Sequence, residues 1–330
     1  MTLNALPKVE LHTHLEGAAP PEFIRRLAQE KGMDLTGVFD DKGNYAFHDF
    51  LHFLKVYEAA TAVLQTPADY QRLVLAVLEK SAANGVIYTE TFVSPDFCGN
   101  RDVGAWREYV HAMQEASDSA EKTHGIVLKG IVTPIRHFEA AKAKEVAECA
   151  VETFGDWVVG FGIGGDEGAG KFSDFAYAFD MAREAGLRLT AHAGEFGGPQ
   201  SVRDAVNDLK VERIGHGVRA IEDMGLVKEL AERGIVLEVC PGSNITLGLF
   251  PTLAQHPIAR LREAGVKVTI STDDPPFFHT TMNDEYNTLA RAFAWGEDVF
   301  KEINITAANA AFCDEVTRKA LIAKLEQTHE

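Results

Sequence analysis

Four times in this chain an amphipathic stretch ends at a glycine, and a run of strand-forming residues follows without a gap. The junctions are Asn84-Gly85-Val86-Ile87-Tyr88, Ala185-Gly186-Leu187-Arg188-Leu189, Arg233-Gly234-Ile235-Val236-Leu237 and Ala264-Gly265-Val266-Lys267-Val268. Glycine enters the left-handed conformation that closes a helix at little steric cost, so each junction reads as helix stop, then strand. Start signals accompany the stops. Thr66 followed by Pro67 predicts a capped helix whose Tyr70, Leu73, Val74, Val77 and Leu78 share one face. Ser201 reads as the cap of a stretch with Val202, Ala205, Val206 and Leu209 on one side. Further strands are predicted near 8–11 and at 126–133, 157–163 and 212–215.

Roughly eight mostly apolar strands alternating with helices predict an α/β fold in which both faces of a parallel sheet are covered. A TIM-like (β/α)8 barrel takes ~250 residues plus insertions. The 330 residues of the chain therefore suit one barrel domain over 1–330, with an inserted Phe-rich helical segment at 33–60, after the first strand. An open doubly wound sheet is the alternative, but no Gly-x-Gly-x-x-Gly follows the first strand.

A formal net charge of −17 and the lack of a basic cluster argue against nucleic acid as a partner. The N-terminal residues lack the pattern of a signal peptide, and no apolar run is long enough to span a bilayer. The expectation is a cytoplasmic protein with no membrane partner; nothing in the sequence signals an oligomeric state. Cys98, Cys149, Cys240 and Cys313 are scattered, which fits neither a disulfide framework nor a thiolate metal site.

In such a barrel the functional site forms at the carboxyl ends of the strands. Read in order, those ends carry His12-Thr13-His14-Leu15-Glu16-Gly17, Gly164-Gly165-Asp166-Glu167, His192-Ala193-Gly194-Glu195, Gly215-His216-Gly217, Cys240-Pro241-Gly242-Ser243-Asn244 and Ser271-Thr272-Asp273-Asp274-Pro275-Pro276. On a strand, His12 and His14 lie on one face, a two-imidazole grip for a metal. His-x-His alone is equally well two histidines meeting solvent; three further strand ends with His or Asp tip the balance. His12, His14, His192 and Asp273 together offer three nitrogens and one carboxylate, a set suited to one catalytic Zn2+ with a position left for water, though iron or cobalt fits it too. Adjacent residues point opposite ways, so Asp273 is assigned to the metal and Asp274 to substrate, a turn role ahead of Pro275 being the alternative. Glu195 is a candidate proton donor or a helix cap. His216, between two glycines, faces the site or is a histidine satisfied in the core.

Four of these motifs, His12-Thr13-His14-Leu15-Glu16-Gly17, His192-Ala193-Gly194-Glu195, Ile214-Gly215-His216-Gly217 and Thr272-Asp273-Asp274-Pro275, in this order within a match from about Leu6 to Phe312, resemble the adenosine/adenine deaminase family of the metal-dependent amidohydrolase superfamily. The resemblance implies a one-zinc barrel with His12, His14, His192 and Asp273 as ligands. It implies Glu195 as proton donor to the purine ring and His216 as the group that orients and deprotonates the attacking water. Asp274 and the backbone at Gly165 match positions that bind purine N7 and N3. Glu16 stands where the nucleoside enzymes commonly have an Asp on the ribose. Base-specific members usually carry Asp where this chain has Gly215, so by the resemblance Gly215 favours a nucleoside. The activity expected is hydrolytic deamination of adenosine and 2′-deoxyadenosine to inosine and ammonia. The alternatives are free adenine, a modified adenine nucleoside, or a catalytically silent purine-binding protein. A two-metal amidohydrolase needs a bridging Lys or Glu at the end of the fourth strand, and Val158–Gly164 has none. The segment Phe47–Leu54 resembles the family's apolar helix beside the pocket, and is otherwise an ordinary core-facing helix.

Overall fold

A computed structural model describes residues 3–327. Eight strands pair in parallel in chain order: β1 (Lys8–His14), β2 (Val86–Val93), β3 (Val127–Val132), β4 (Val158–Phe161), β5 (Arg188–Ala193), β6 (Arg213–His216), β7 (Val236–Val239) and β8 (Lys267–Ile270). A parallel bridge between Thr13 and Asp273 brings the end of β8 back to β1. It is reinforced by His14 N–H donating to the Asp273 carbonyl (3.0 Å) and Asp273 N–H donating to the His12 carbonyl (3.1 Å). The architecture is the expected (β/α)8 barrel.

Each of the four glycine junctions behaves as read. Gly234, for instance, sits at φ +68° and donates to the last carbonyls of the helix Met224–Arg233 immediately before β7. Between β1 and β2 the chain inserts three helices, α1 (Pro21–Lys31), α2 (Phe50–Thr61) and α3 (Pro67–Ala83). Thr66 and Asp69 form a reciprocal cap at the start of α3, an arrangement worth ~1 kcal/mol. Ser201 is not a cap. The helix there begins at Pro199, one turn earlier, and the Ser201 hydroxyl donates instead to Glu167 from the loop after β4.

The inside of the barrel carries charge as well as hydrocarbon. Phe92, Ile131, Val159 and Phe312 pack together, and the Arg213 guanidinium lies 3.5 Å over the Phe312 ring. Arg213 is buried between two buried carboxylates, donating to Glu90 Oε2 and Glu238 Oε1 at 2.6 Å each. Buried charge is tolerated where it is paired and hydrogen-bonded, and Tyr88 (2.7 Å to Glu90) and Thr190 (2.9 Å to Glu238) complete the set. No helix among the described residues is long and apolar enough to cross a membrane.

Candidate active site

The carboxyl ends of β1, β5, β6 and β8 bring His12, His14, His192, His216 and Asp273 together. One ligand atom from each of His12, His14, His192 and Asp273 falls within 4.8 Å of the others. Asp273 Oδ1 lies 3.5 Å from His12 Nε2 and 3.3 Å from His14 Nε2, and the Nε2 atoms of His14 and His192 are 3.1 Å apart.

The protonation of the imidazoles decides what this cluster can hold. His12 Nδ1 donates to Glu238 Oε2 (2.7 Å) and His192 Nδ1 donates to the Ile163 carbonyl (2.8 Å). With the proton on Nδ1 in each, both Nε2 atoms aim lone pairs at the same point; His12 Nε2 is buried without a hydrogen-bond partner. Converging lone pairs beside a carboxylate fit a divalent cation, and the Nδ1 partners are the outer supports that metal-bound imidazoles usually have. Ser243 Oγ donates to Asp273 Oδ2 (2.7 Å), which leaves Oδ1 turned to the imidazoles. Cys240 forms a second group with His216 and Asp273, but burial pushes its thiol well above the usual range, and a protonated thiol is a poor ligand.

Asp273 and Asp274 both face the site, against simple alternation, because Asp273 takes φ +65° and turns the chain. Asp274 Oδ1 is buried without a partner, in a space kept open by Gly17, where a Cβ would fall 1.5 Å from it. Burial, then the charges of Asp273, Glu195 and Glu16, push the Asp274 carboxyl well above its usual range. Glu195 is raised for the same first reason, followed by repulsion from Asp273 and Glu167. Both shifts favour the protonated, donating form of the carboxyl.

Glu195 is not a helix cap. Glu167 accepts the backbone N–H groups of Gly194 (2.6 Å), Glu195 (3.1 Å), Phe196 (2.8 Å) and Gly197 (2.8 Å), and so pins the loop that aims Glu195 inward. Glu195 Oε2 stands 3.6 Å from His216 Nε2.

Burial lowers His216 to about 3, so the ring is neutral. His256 Nδ1 accepts from Ile258 N–H (3.3 Å), its Nε2 donates to Asn244 Oδ1 (3.1 Å), and the Asn244 amide nitrogen faces His216 Nδ1 (3.3 Å). This chain leaves the His216 proton on Nε2, which points into the site without a partner. His216 therefore presents a ring N–H to the site.

These groups line a cavity of about 70 Å3, far below the roughly 300–1,000 Å3 of sites for drug-sized ligands. Phe50, Phe53, Leu54 and Tyr57 of α2 form its roof with Phe278, so the segment Phe47–Leu54 does reach the pocket. Gly165, at φ +96°, forms part of the wall against His137. Glu16 is brought near but does not line the cavity: it is 4% exposed, and its two oxygens accept from Tyr70 (2.9 Å) and Tyr57 (3.4 Å). Gly215 has a local reason to be glycine, since a Cβ would stand 2.7 Å from His12 Cε1. The packing of His12 accounts for this glycine without reference to a sugar. Glu238, Arg213, Glu167, Ser243 and Asn244 were not assigned roles from sequence; charged residues inside otherwise apolar strands were the available signal for the first two.

A barrel with imidazoles and carboxyls gathered at its carboxyl end defines the class of metal-dependent amidohydrolases. The family model for adenosine deaminase matches residues 7–328, and the chain belongs to that family. It is 48% identical to an adenine deaminase of Rhizobium leguminosarum bv. trifolii, over 98% of this chain and 100% of the relative. Among solved structures, the adenine deaminase of Arthrobacter aurescens superposes with a TM-score of 0.90 at 31% identity, covering 98% of this chain and 99% of that one. An amidohydrolase of Burkhoderia ambifaria with bound Zn gives a TM-score of 0.87 at 29% identity, covering 98% and 90%. The chain is a hydrolytic deaminase acting on a C–N bond.

Proposed function

We propose that the substrate is free adenine, converted with water to hypoxanthine and ammonia. The observation that carries this reading is Glu16: the side chain expected to meet a ribose is sequestered by Tyr57 and Tyr70 behind the cavity wall. The small cavity and the adenine deaminases among the relatives agree with it.

His12, His14, His192 and Asp273 would hold one divalent cation, zinc being the ion in the Burkhoderia ambifaria neighbour. Such an ion supplies Lewis acidity that makes water nucleophilic at neutral pH. The chain's own groups do the rest. Asp274 donates to N7, the backbone at Gly165 faces N3, and Glu195 faces N1. His216 Nε2–H orients the incoming water. Glu195 gives its proton to N1 as the water adds to C6, which offsets the loss of ring aromaticity. It recovers a proton from that water, gives it to the departing amine, and is reprotonated by the C6 hydroxyl as the carbonyl forms. The roof of α2 keeps the ring out of bulk solvent.

The test is absorbance of zinc-loaded protein offered adenine and adenosine in parallel. Adenine should be consumed with kcat/KM at least about 100-fold above adenosine, the scale on which a closed pocket rejects an added group. Faster turnover of adenosine would refute the assignment.

A further inference from the structure

We propose that Glu58 is a specificity residue that accepts the N9–H of free adenine and thereby rejects nucleosides; this rests on the purine orientation given under Proposed function. The walls named there occupy three sides of the ring: Glu195 at N1, Asp274 at N7 and Gly165 at N3. N9 is two bonds beyond N3, at the corner farthest from the reacting carbon. The side chains next to Gly165 at that corner are His137 and Glu58, and both line the cavity. A Cβ at Gly165 would sit 2.7 Å from His137 Nδ1, so the ring of His137 is the immediate neighbour of the N3 wall.

The pair is oriented. His137 Nδ1 accepts from Asp166 N–H (3.1 Å), which puts the ring proton on Nε2, and Nε2 donates to Glu58 Oε1 (3.3 Å). Glu58 projects from α2, the roof helix, and its Oε2 makes no hydrogen bond to the described residues. His137 thus positions a carboxylate with a free acceptor at the N9 corner. In the tautomer that carries hydrogen on N9, that N–H meets the free acceptor oxygen of Glu58. A nucleoside puts a carbon on N9, which has no proton to give and must displace the carboxylate from its place.

The experiment compares wild type, Glu58→Gln and Glu58→Ala in the zinc-loaded enzyme, with adenine as substrate, 9-methyladenine as competitive inhibitor, and hypoxanthine binding by calorimetry. Glu58 is 43% exposed as a side chain, so neither change removes a packed core group. Loss of a hydrogen bond to a charged group predicts a rise of about 10–100-fold in KM for adenine and in Kd for hypoxanthine, with kcat within a few-fold of wild type. The inhibition constant of 9-methyladenine should stay level or fall, because that compound has no N9–H to lose. If both variants keep wild-type KM and Kd, or if 9-methyladenine weakens in step with adenine, Glu58 does not read N9. A wild type that fails to deaminate adenine overturns the substrate assignment and this inference with it. Adenine turnover with an unchanged Glu58→Ala profile overturns this inference alone.

Discussion

Glu238→Gln separates the support of the proposed metal centre from the centre itself. Glu238 is fully buried and takes His12 Nδ1–H on one oxygen and Arg213 and Thr190 on the other. An amide has one acceptor oxygen and cannot serve both sides. If the amide nitrogen faces His12, the imidazole must shift its proton to Nε2 and loses the lone pair aimed at the cation site. If it faces Arg213, a buried guanidinium is left with Glu90 as its charge partner. Loss of an outer hydrogen bond to a ligating imidazole typically costs ~10–100-fold in metal affinity, or about 1.4–2.7 kcal/mol. Breaking a buried charge pair costs about 3–5 kcal/mol of stability. Competition against a zinc chelator measures the first, and urea unfolding of the metal-free proteins measures the second. At least one must move by the stated amount. A variant with wild-type zinc affinity and wild-type unfolding would mean that Glu238 neither orients His12 nor neutralises Arg213.

Three further outcomes are expected. Glu195→Gln keeps the shape but has no proton to cycle, so kcat should fall by ~10²–10⁴-fold while zinc content stays at the wild-type level; near-normal turnover would exclude Glu195 as the acid. Gly165→Ala puts a methyl 2.7 Å from His137 Nδ1 at φ +96°, so kcat/KM should drop about 10-fold or more with only ~1–3 kcal/mol of stability lost, measured by steady-state kinetics and thermal unfolding. Burial raises Glu285 to about 7 against 4.5 for the free group, so the native state favours its protonated form. Its contribution to stability is full below pH 4.5 and is lost as the pH rises to 7. Glu285→Gln should remove about one proton from the pH dependence of unfolding between those limits, and an unchanged slope in urea titrations at pH 5 and 7.5 would contradict the shift.

Much of the barrel was legible because its signals are local. A glycine after an amphipathic stretch and a capping Thr-Pro act within a few residues, and the strand ends then select the four converging side chains although they are spread from His12 to Asp273. What stayed hidden depends on groups that meet only after folding. Ser201 looks like a cap until Glu167 arrives to claim its hydroxyl. Alternation would have turned Asp274 away, but the left-handed turn at Asp273 brings it back. Gly215 looked like a mark of substrate choice and instead makes room for His12. Glu16 and Glu58 are both plain acidic residues in sequence; only their surroundings show one locked to two tyrosines and the other facing the cavity.

His12, His14, His192 and Asp273 converge as the proposed site of one cation. Metal analysis of protein dialysed against trace zinc, wild type beside Asp273→Ala, addresses that arrangement directly. About one zinc per wild-type chain and little in the variant is the expected result. A wild-type protein that holds no divalent metal, or an Asp273→Ala variant that holds it fully, would contradict it.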